Sequence, residues 1–112
     1  MEENIMTTLT SLTNITITLD GQPYLENGTC RLPTEEGRPS IFVMEDAWYE
    51  AEATDAAGNS YLVFWDILKS YNPRTAFDEC DACDWDNPRC IITWDDNGRE
   101  YDVTAKIAQI NF

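Results

Sequence analysis

No histidine occurs in this chain of 112 residues, and 7 Lys and Arg stand against 21 Asp and Glu, a formal net charge of −14. Without imidazole there is no Ser-His-Asp triad, no Cys-His dyad and no histidine metal ligand, so catalysis would fall to carboxylates or thiolates alone. The scarcity of cations excludes a second class. A field this negative repels DNA, RNA and anionic headgroups and attracts proteins with basic surfaces. Long apolar runs are missing too: the longest is Tyr61-Leu62-Val63-Phe64-Trp65, against the roughly 20 residues needed to cross a bilayer. The opening Met1-Glu2-Glu3-Asn4-Ile5-Met6 lacks the basic region and apolar stretch of a secretory signal, which points to the cytoplasm. In that setting the sequons Asn14-Ile15-Thr16 and Asn27-Gly28-Thr29 read as chance.

What the chain does hold is apolar and aromatic. At 43% hydrophobic residues, with 4 Trp, 5 Tyr and 4 Phe, it has too many core formers for a disordered acidic tail. The length suits one domain over residues 1–112.

Residues 1–12 are Thr-rich and weakly patterned: Ile5, Leu9 and Leu12 fall at helical spacing, whereas the Thr residues argue for an extended or frayed start, and both readings stay open. From Asn14 the alternation Asn14-Ile15-Thr16-Ile17-Thr18-Leu19, closed by Asp20-Gly21, predicts a strand. Residues 26–40 hold Gly28, Pro33, Gly37 and Pro39 and read as a connecting loop. Next come a short apolar strand, Ser40 to Met44, and an alternating one, Trp48 to Thr54, forming a central hairpin. In the second, Trp48, Glu50, Glu52 and Thr54 share one face, opposite Tyr49, Ala51 and Ala53. Ser60 to Leu68, apolar on both sides, reads as the doubly covered central strand. Residues 72–90 form an acidic, Cys-containing loop. Ile91 to Trp94 and Tyr101 to Thr104 are joined across Asp95-Asp96-Asn97-Gly98, where Asn-Gly favours a type I′ turn. Asp55, Gly58, Tyr61 and Val63 recur as Asp95, Gly98, Tyr101 and Val103, an internal echo that shared turn chemistry or duplication would produce. The expected fold is mainly β: a small single-domain antiparallel sheet of about five or six strands. It leaves room for one short helix near residues 66–77 or at the C-terminus.

Cys80, Cys83 and Cys90 form C-x2-C-x6-C, and Cys30 stands apart. Three uses stay open: reduced thiols serving as small apolar groups, a structural zinc held by all four thiolates, and a redox pair. Nearby Asp78, Glu79, Asp81, Asp84 and Asp86 would raise the thiol pKa values, which weighs against thiolate chemistry. No cofactor other than such a zinc is expected.

The carboxylates are the main candidates for a binding surface. Glu50 and Glu52 lie two apart on one predicted strand face, roughly 6.6–7 Å from each other. Asp81, Asp84, Asp86, Asp95 and Asp96 add denser clusters, and Trp48 and Trp85 stand among the acids as interface anchors. Such a row imitates the charges of a nucleic-acid backbone and offers acceptors to Arg and Lys. Catalytic use has less support. A glycosidase or metal nuclease needs a cleft wall that this length hardly provides, and residues 78–86 lack the alternating ligands and glycine of a calcium loop.

The segments Tyr61-Leu62-Val63-Phe64-Trp65-Asp66-Ile67, Ala82-Cys83-Asp84-Trp85-Asp86-Asn87-Pro88 and Leu19-Asp20-Gly21-Gln22-Pro23-Tyr24 resemble pieces of short acidic proteins carried by phages and mobile elements of Gram-positive bacteria, a group that includes anti-CRISPR proteins. The resemblance implies a non-enzymatic inhibitor that occupies the DNA-binding channel of an RNA-guided nuclease in the bacterial cytoplasm. It carries no family residues onto this chain and leaves Cys80 and Cys90 unexplained. The alternative expectation is a zinc- or thiol-stabilised interaction module.

Overall fold

The computed structural model describes residues 14–32, 42–71 and 79–112, with side chains described outside 30–32, 42–46 and Glu79. Seven strands form one sheet: β1 (Ile15–Leu19), β2 (Tyr24–Leu32), β3 (Phe42–Asp55), β4 (Ser60–Trp65), β5 (Cys90–Trp94), β6 (Glu100–Asp102) and β7 (Ile107–Asn111). Their spatial order is β6-β5-β4-β3-β1-β7, with β2 also paired to β3. The sheet is mixed and curled, because β7 runs parallel to β1 while every other pairing is antiparallel.

β3 is the spine. Its second half pairs with β4 from Tyr49 opposite Trp65 to Thr54 opposite Ser60. On its other edge β1 and β2 follow one another, Leu19 opposite Ala53 and Tyr24 opposite Glu50, with residues 20–23 bulging between them. The bulge is anchored where the Asp20 amide donates to the Glu52 carbonyl (2.9 Å). Beyond Tyr49, β2 and β3 continue as a two-stranded arm, and the molecule measures 57 × 28 × 18 Å.

Strand alternation sorts the side chains onto two faces. One face is the main core: Ile17, Tyr49, Ala51, Ala53, Tyr61, Val63, Trp65 and Ile91 are all buried there. The segment between β4 and β5 lays Ala82, Cys83 and Trp85 over it. Trp85 meets Tyr49 and Trp65 edge-on, with ring centroids 5.4 and 5.2 Å away, a favoured aromatic geometry. The other face carries a smaller cluster of Trp48, Phe64, Cys90 and Ile92, flanked by Leu62 and Trp94. β4 contributes to both clusters, as its two-sided apolar pattern predicts.

Several expectations are corrected. The loop placed at 26–40 is strand over its first part, since β2 runs to Leu32; pairing along β3 outweighs the weak local pattern around Gly28. The two strands placed at 40–44 and 48–54 are one continuous strand. No α-helix occurs among the described residues: 66–71 is not helical, and the C-terminus is β7, where Ile107 and Ile110 meet β1 opposite Ile15 and Ile17. The acidic Cys-containing loop is non-strand from Glu79 to Arg89 apart from the isolated bridge of Cys83 to Ile67, and holds a 3-10 turn at Glu79–Asp81. Its part at 72–78, residues 1–12 and residues 33–40 lie outside the described residues.

The internal echo is structural. In both hairpins the Asp amide pairs with the carbonyl four residues on (Asp55 with Asn59, 3.1 Å; Asp95 with Arg99, 3.0 Å), and the Gly amide donates back to the Asp carbonyl. Gly58 (φ 86°) and Gly98 (φ 80°) take the left-handed conformation. The three-residue loop, a turn followed by left-handed Gly, replaces the expected type I′ turn, which would need positive φ at Asn97 as well; Asn97 has none.

Candidate functional site

The sequence-predicted carboxylates separate into three groups. Glu50 and Glu52 project from β3 on the Trp48 face, as the alternation requires. Asp81, Asp84 and Asp86 are exposed on the segment that covers the opposite, main core face. Asp95 and Asp96 sit at the β5–β6 turn. They therefore do not make one continuous plate.

Asp95 is committed to its turn: Oδ1 accepts the amides of Asn97 and Arg99 (2.9 Å each), and Oδ2 accepts the Tyr101 hydroxyl (3.2 Å). The Arg99 amide bond leads the causes that hold this carboxyl below the ordinary range. Asp55 is bound in the same way by Ala57, Asn59 and Tyr61. Burial raises its pKa, but the bonds from Asn59, Tyr61 and Ala57 outweigh that and lower it.

The two indoles expected as anchors are not free rings on the surface. Trp48 is 4% exposed, and its Nε1 donates to Glu50 Oε1 at 2.9 Å. Trp85 is half-buried and gives its Nε1–H to the Cys80 carbonyl at 2.7 Å. Both rings pack against the sheet because indoles bury large apolar area once the N–H finds an acceptor.

A tighter group forms around Glu50, and it includes residues that the sequence reading missed. Tyr24 lies opposite Glu50 in the β2–β3 register, and its hydroxyl donates to Glu50 Oε2 at 3.0 Å. Glu50 is thus held at both oxygens, by Trp48 on one and Tyr24 on the other. Glu26, opposite Trp48, is the diagonal neighbour of Glu50, ~7–8 Å away. Glu52 follows on the other side at roughly 6.6–7 Å. The Tyr24 pKa is pushed up to about 12, by burial first, then by the hydrogen bond to Glu50 and the charges of Glu50, Glu52 and Glu26. In the β2–β3 register Glu50 lies opposite Tyr24, Glu26 lies two residues along from Tyr24 and Glu52 two along from Glu50, and the phenol stays a protonated donor. Across the sheet the same face presents Asp102 opposite Ile92 and Glu100 opposite Trp94. Among the described strand side chains this face bears no Lys or Arg. Glu26 escaped because 26–40 reads as loop, and Tyr24 because the sequence assigns no strand between Asp20-Gly21 and that loop; the two-residue spacing from Tyr24 to Glu26 is the signal that a strand assignment would have exposed.

The described cysteines, Cys80, Cys83 and Cys90, are not brought to one centre. Cys83 belongs to the main core and Cys90 to the cluster on the opposite face, while Cys80 is exposed. The Cys30 side chain lies outside the description. Burial, aided by the charge of Asp66, pushes the Cys83 thiol up to about 11. Burial and then Asp102 push Cys90 up to about 12. Both stay protonated at neutral pH, the state that metal and redox chemistry disfavour. No group of three or more metal-ligating side chains converges among the described residues, and no helix there is long and apolar enough to cross a membrane. In comparisons with family models, curated proteins and solved structures, nothing matches this chain.

Proposed function

We propose that the protein is a non-enzymatic inhibitor that docks by charge into the basic groove of a nucleic-acid-handling protein, with an RNA-guided CRISPR nuclease in the bacterial cytoplasm as the expected target. The observation that carries this reading is the row of Glu26, Glu50 and Glu52 beside Tyr24, on a face without cations among its described strand side chains. Glu50 is oriented by two donors, so its carboxylate meets an incoming guanidinium with little ordering left to do.

The charge density is of the right order. A net charge of −14 along a long axis of 57 Å leaves one excess charge per about 4 Å. A single nucleic-acid strand carries one per ~3.4 Å and a duplex one per ~1.7 Å. Averaged over the whole body, with its acids on both faces, this is nearer the density of one strand than of two. An RNA-guided nuclease holds its heteroduplex and displaced strand in positively charged channels, where a narrow acidic body competes by occupancy.

The test is inhibition of target-DNA binding by a purified nuclease, read by gel shift at stepped salt. Glu50→Lys with Glu52→Lys is expected to weaken inhibition at least tenfold with the circular dichroism of the fold retained, and salt is expected to weaken the wild type steeply. Undiminished inhibition by that double variant overturns the assignment of the face. Absence of any salt-sensitive binding to basic nucleic-acid-handling proteins overturns the function.

A further inference from the structure

The outermost strands of the sheet differ in length and chemistry. β6 spans only Glu100–Asp102, too short to template much pairing. At the other side β7 ends the strand order, with β1 as its one partner strand among the described residues. Edge strands are ordinarily blunted by charges, proline or bulges, because their unpaired amides and carbonyls invite another strand. In a chain that is 25% charged, Ile107–Asn111 reads Ile-Ala-Gln-Ile-Asn, with neither charge nor proline. Its register irregularity falls opposite Ile15 and Thr16, leaving Gln109, Ile110 and Asn111 in regular pairing.

That strand also walls a cleft of about 490 Å³. Ile107, Ala108, Gln109 and Ile110 contribute to it consecutively. A strand seen face-on contributes every second residue, so the cleft meets β7 at its edge. The 85–88 segment also lines the cleft, and Trp85 is held in place. The Trp85 carbonyl accepts the Trp65 indole N–H (3.0 Å), its own indole is tied to Cys80 (2.7 Å), and its ring is wedged against Tyr49 and Trp65. Asp86 is the charged residue of the lining.

We propose that this cleft receives an extended cationic peptide segment, which pairs with the outer edge of β7 as an added strand, sets apolar side chains against Trp85 and sets a Lys or Arg near Asp86. Main-chain hydrogen bonding supplies affinity in such strand addition and alternate side chains supply specificity. Charge selects the occupant. A second copy of the chain would bring −14 against −14, whereas a basic segment is drawn in by the same field. The inference stands independently of the Glu50 face, since the two sites share no residue.

The experiment uses the unmodified protein and an acetylated, amidated hexapeptide of alternating lysine and valine. Binding is followed by backbone amide exchange and chemical shifts. At saturation, exchange across Ile107–Asn111 is expected to slow about tenfold, the shift changes are expected to centre on β7 and Trp85, and N-methylating alternate peptide amides in the ladder phase is expected to cost about tenfold in affinity. The glutamate-valine counterpart is expected not to bind. Three results overturn the proposal: equal binding of the N-methylated or glutamate peptides, shift changes confined to the Tyr24 and Glu50 face, or a salt-dependent dimer of the protein alone that already protects β7. Peptide binding at β7 with no effect of Glu50→Lys and Glu52→Lys separates this inference from the function proposed above.

Discussion

Asp55 and Asp95 are carboxylates that the fold engages in its own turns. Each closes a hairpin by accepting two amides on one oxygen and a tyrosine hydroxyl on the other. Asn at position 55 keeps an acceptor for the amides but loses the charge that receives the Asn59 and Tyr61 side chains. Hydrogen bonds to charged groups contribute about 1.5–3 kcal/mol, so Asp55→Asn is expected to lower the unfolding free energy by about 2 kcal/mol in urea titration. The pH dependence has a definite sign. The Asp55 pKa is lowered in the folded state, below an unfolded value of about 3.9. Its stabilisation is therefore fully present above the unfolded value and is lost as pH falls below about 4 and through the folded value. Thermal melts between pH 6 and pH 2.5 should show a shallower acid limb in Asp55→Asn than in wild type. An unchanged limb would remove Asp55 from the account of acid stability.

At the scale of the element, the two matched turns rest on Gly58 and Gly98. A Cβ built at either meets nothing within 4 Å, so substitution is opposed by backbone conformation alone. Gly98 has φ of 80°, where an L side chain costs about 1 kcal/mol and Asn costs less. Gly98→Ala is thus expected to lose about 1 kcal/mol in chemical denaturation, and Gly98→Asn roughly half of that. Equal losses for both would mean that something other than the left-handed conformation governs this turn. The same pair of hairpins shows what pattern can reveal. Asp, Gly and Tyr at matched spacing identified both turns, and the turn geometry still differed from the one Asn-Gly favours. The carboxylate of Asp95 stabilises a three-residue loop that dipeptide preference does not anticipate.

For the whole molecule, the excess of anions is the dominant long-range force. The described ion pair Arg89 Nη1 to Asp66 Oδ2 (2.8 Å) is solvent-exposed and contributes little. Self-repulsion acts over a Debye length of ~30 Å at 0.01 M salt and ~8 Å at 0.15 M. The melting temperature is accordingly expected to rise between 10 and 150 mM NaCl in scanning calorimetry. A flat or falling response would mean that the acids are locally compensated and that the field available to a basic partner is weaker than the net charge implies.

The division between sequence and tertiary structure follows from the range of the forces involved. Strand alternation on β3, the two-sided burial of β4 and the absence of imidazole chemistry are local or compositional, and all were readable from the residues. The carboxylate surface was readable only in part. Glu50 and Glu52 share a face because a strand has a period of two. Tyr24 and Glu26 join them through the β2–β3 register, a contact between residues 26 and 22 positions apart in the chain (Tyr24 to Glu50, Glu26 to Trp48). The β4–β5 connection, laid over the main core, carries Asp81, Asp84 and Asp86 to the opposite side and puts Cys83 in that core, whereas β5 places Cys90 in the other cluster. Spacing along the chain sets what a segment can form, but which faces meet is decided by register between strands and by which apolar surface each connecting segment covers.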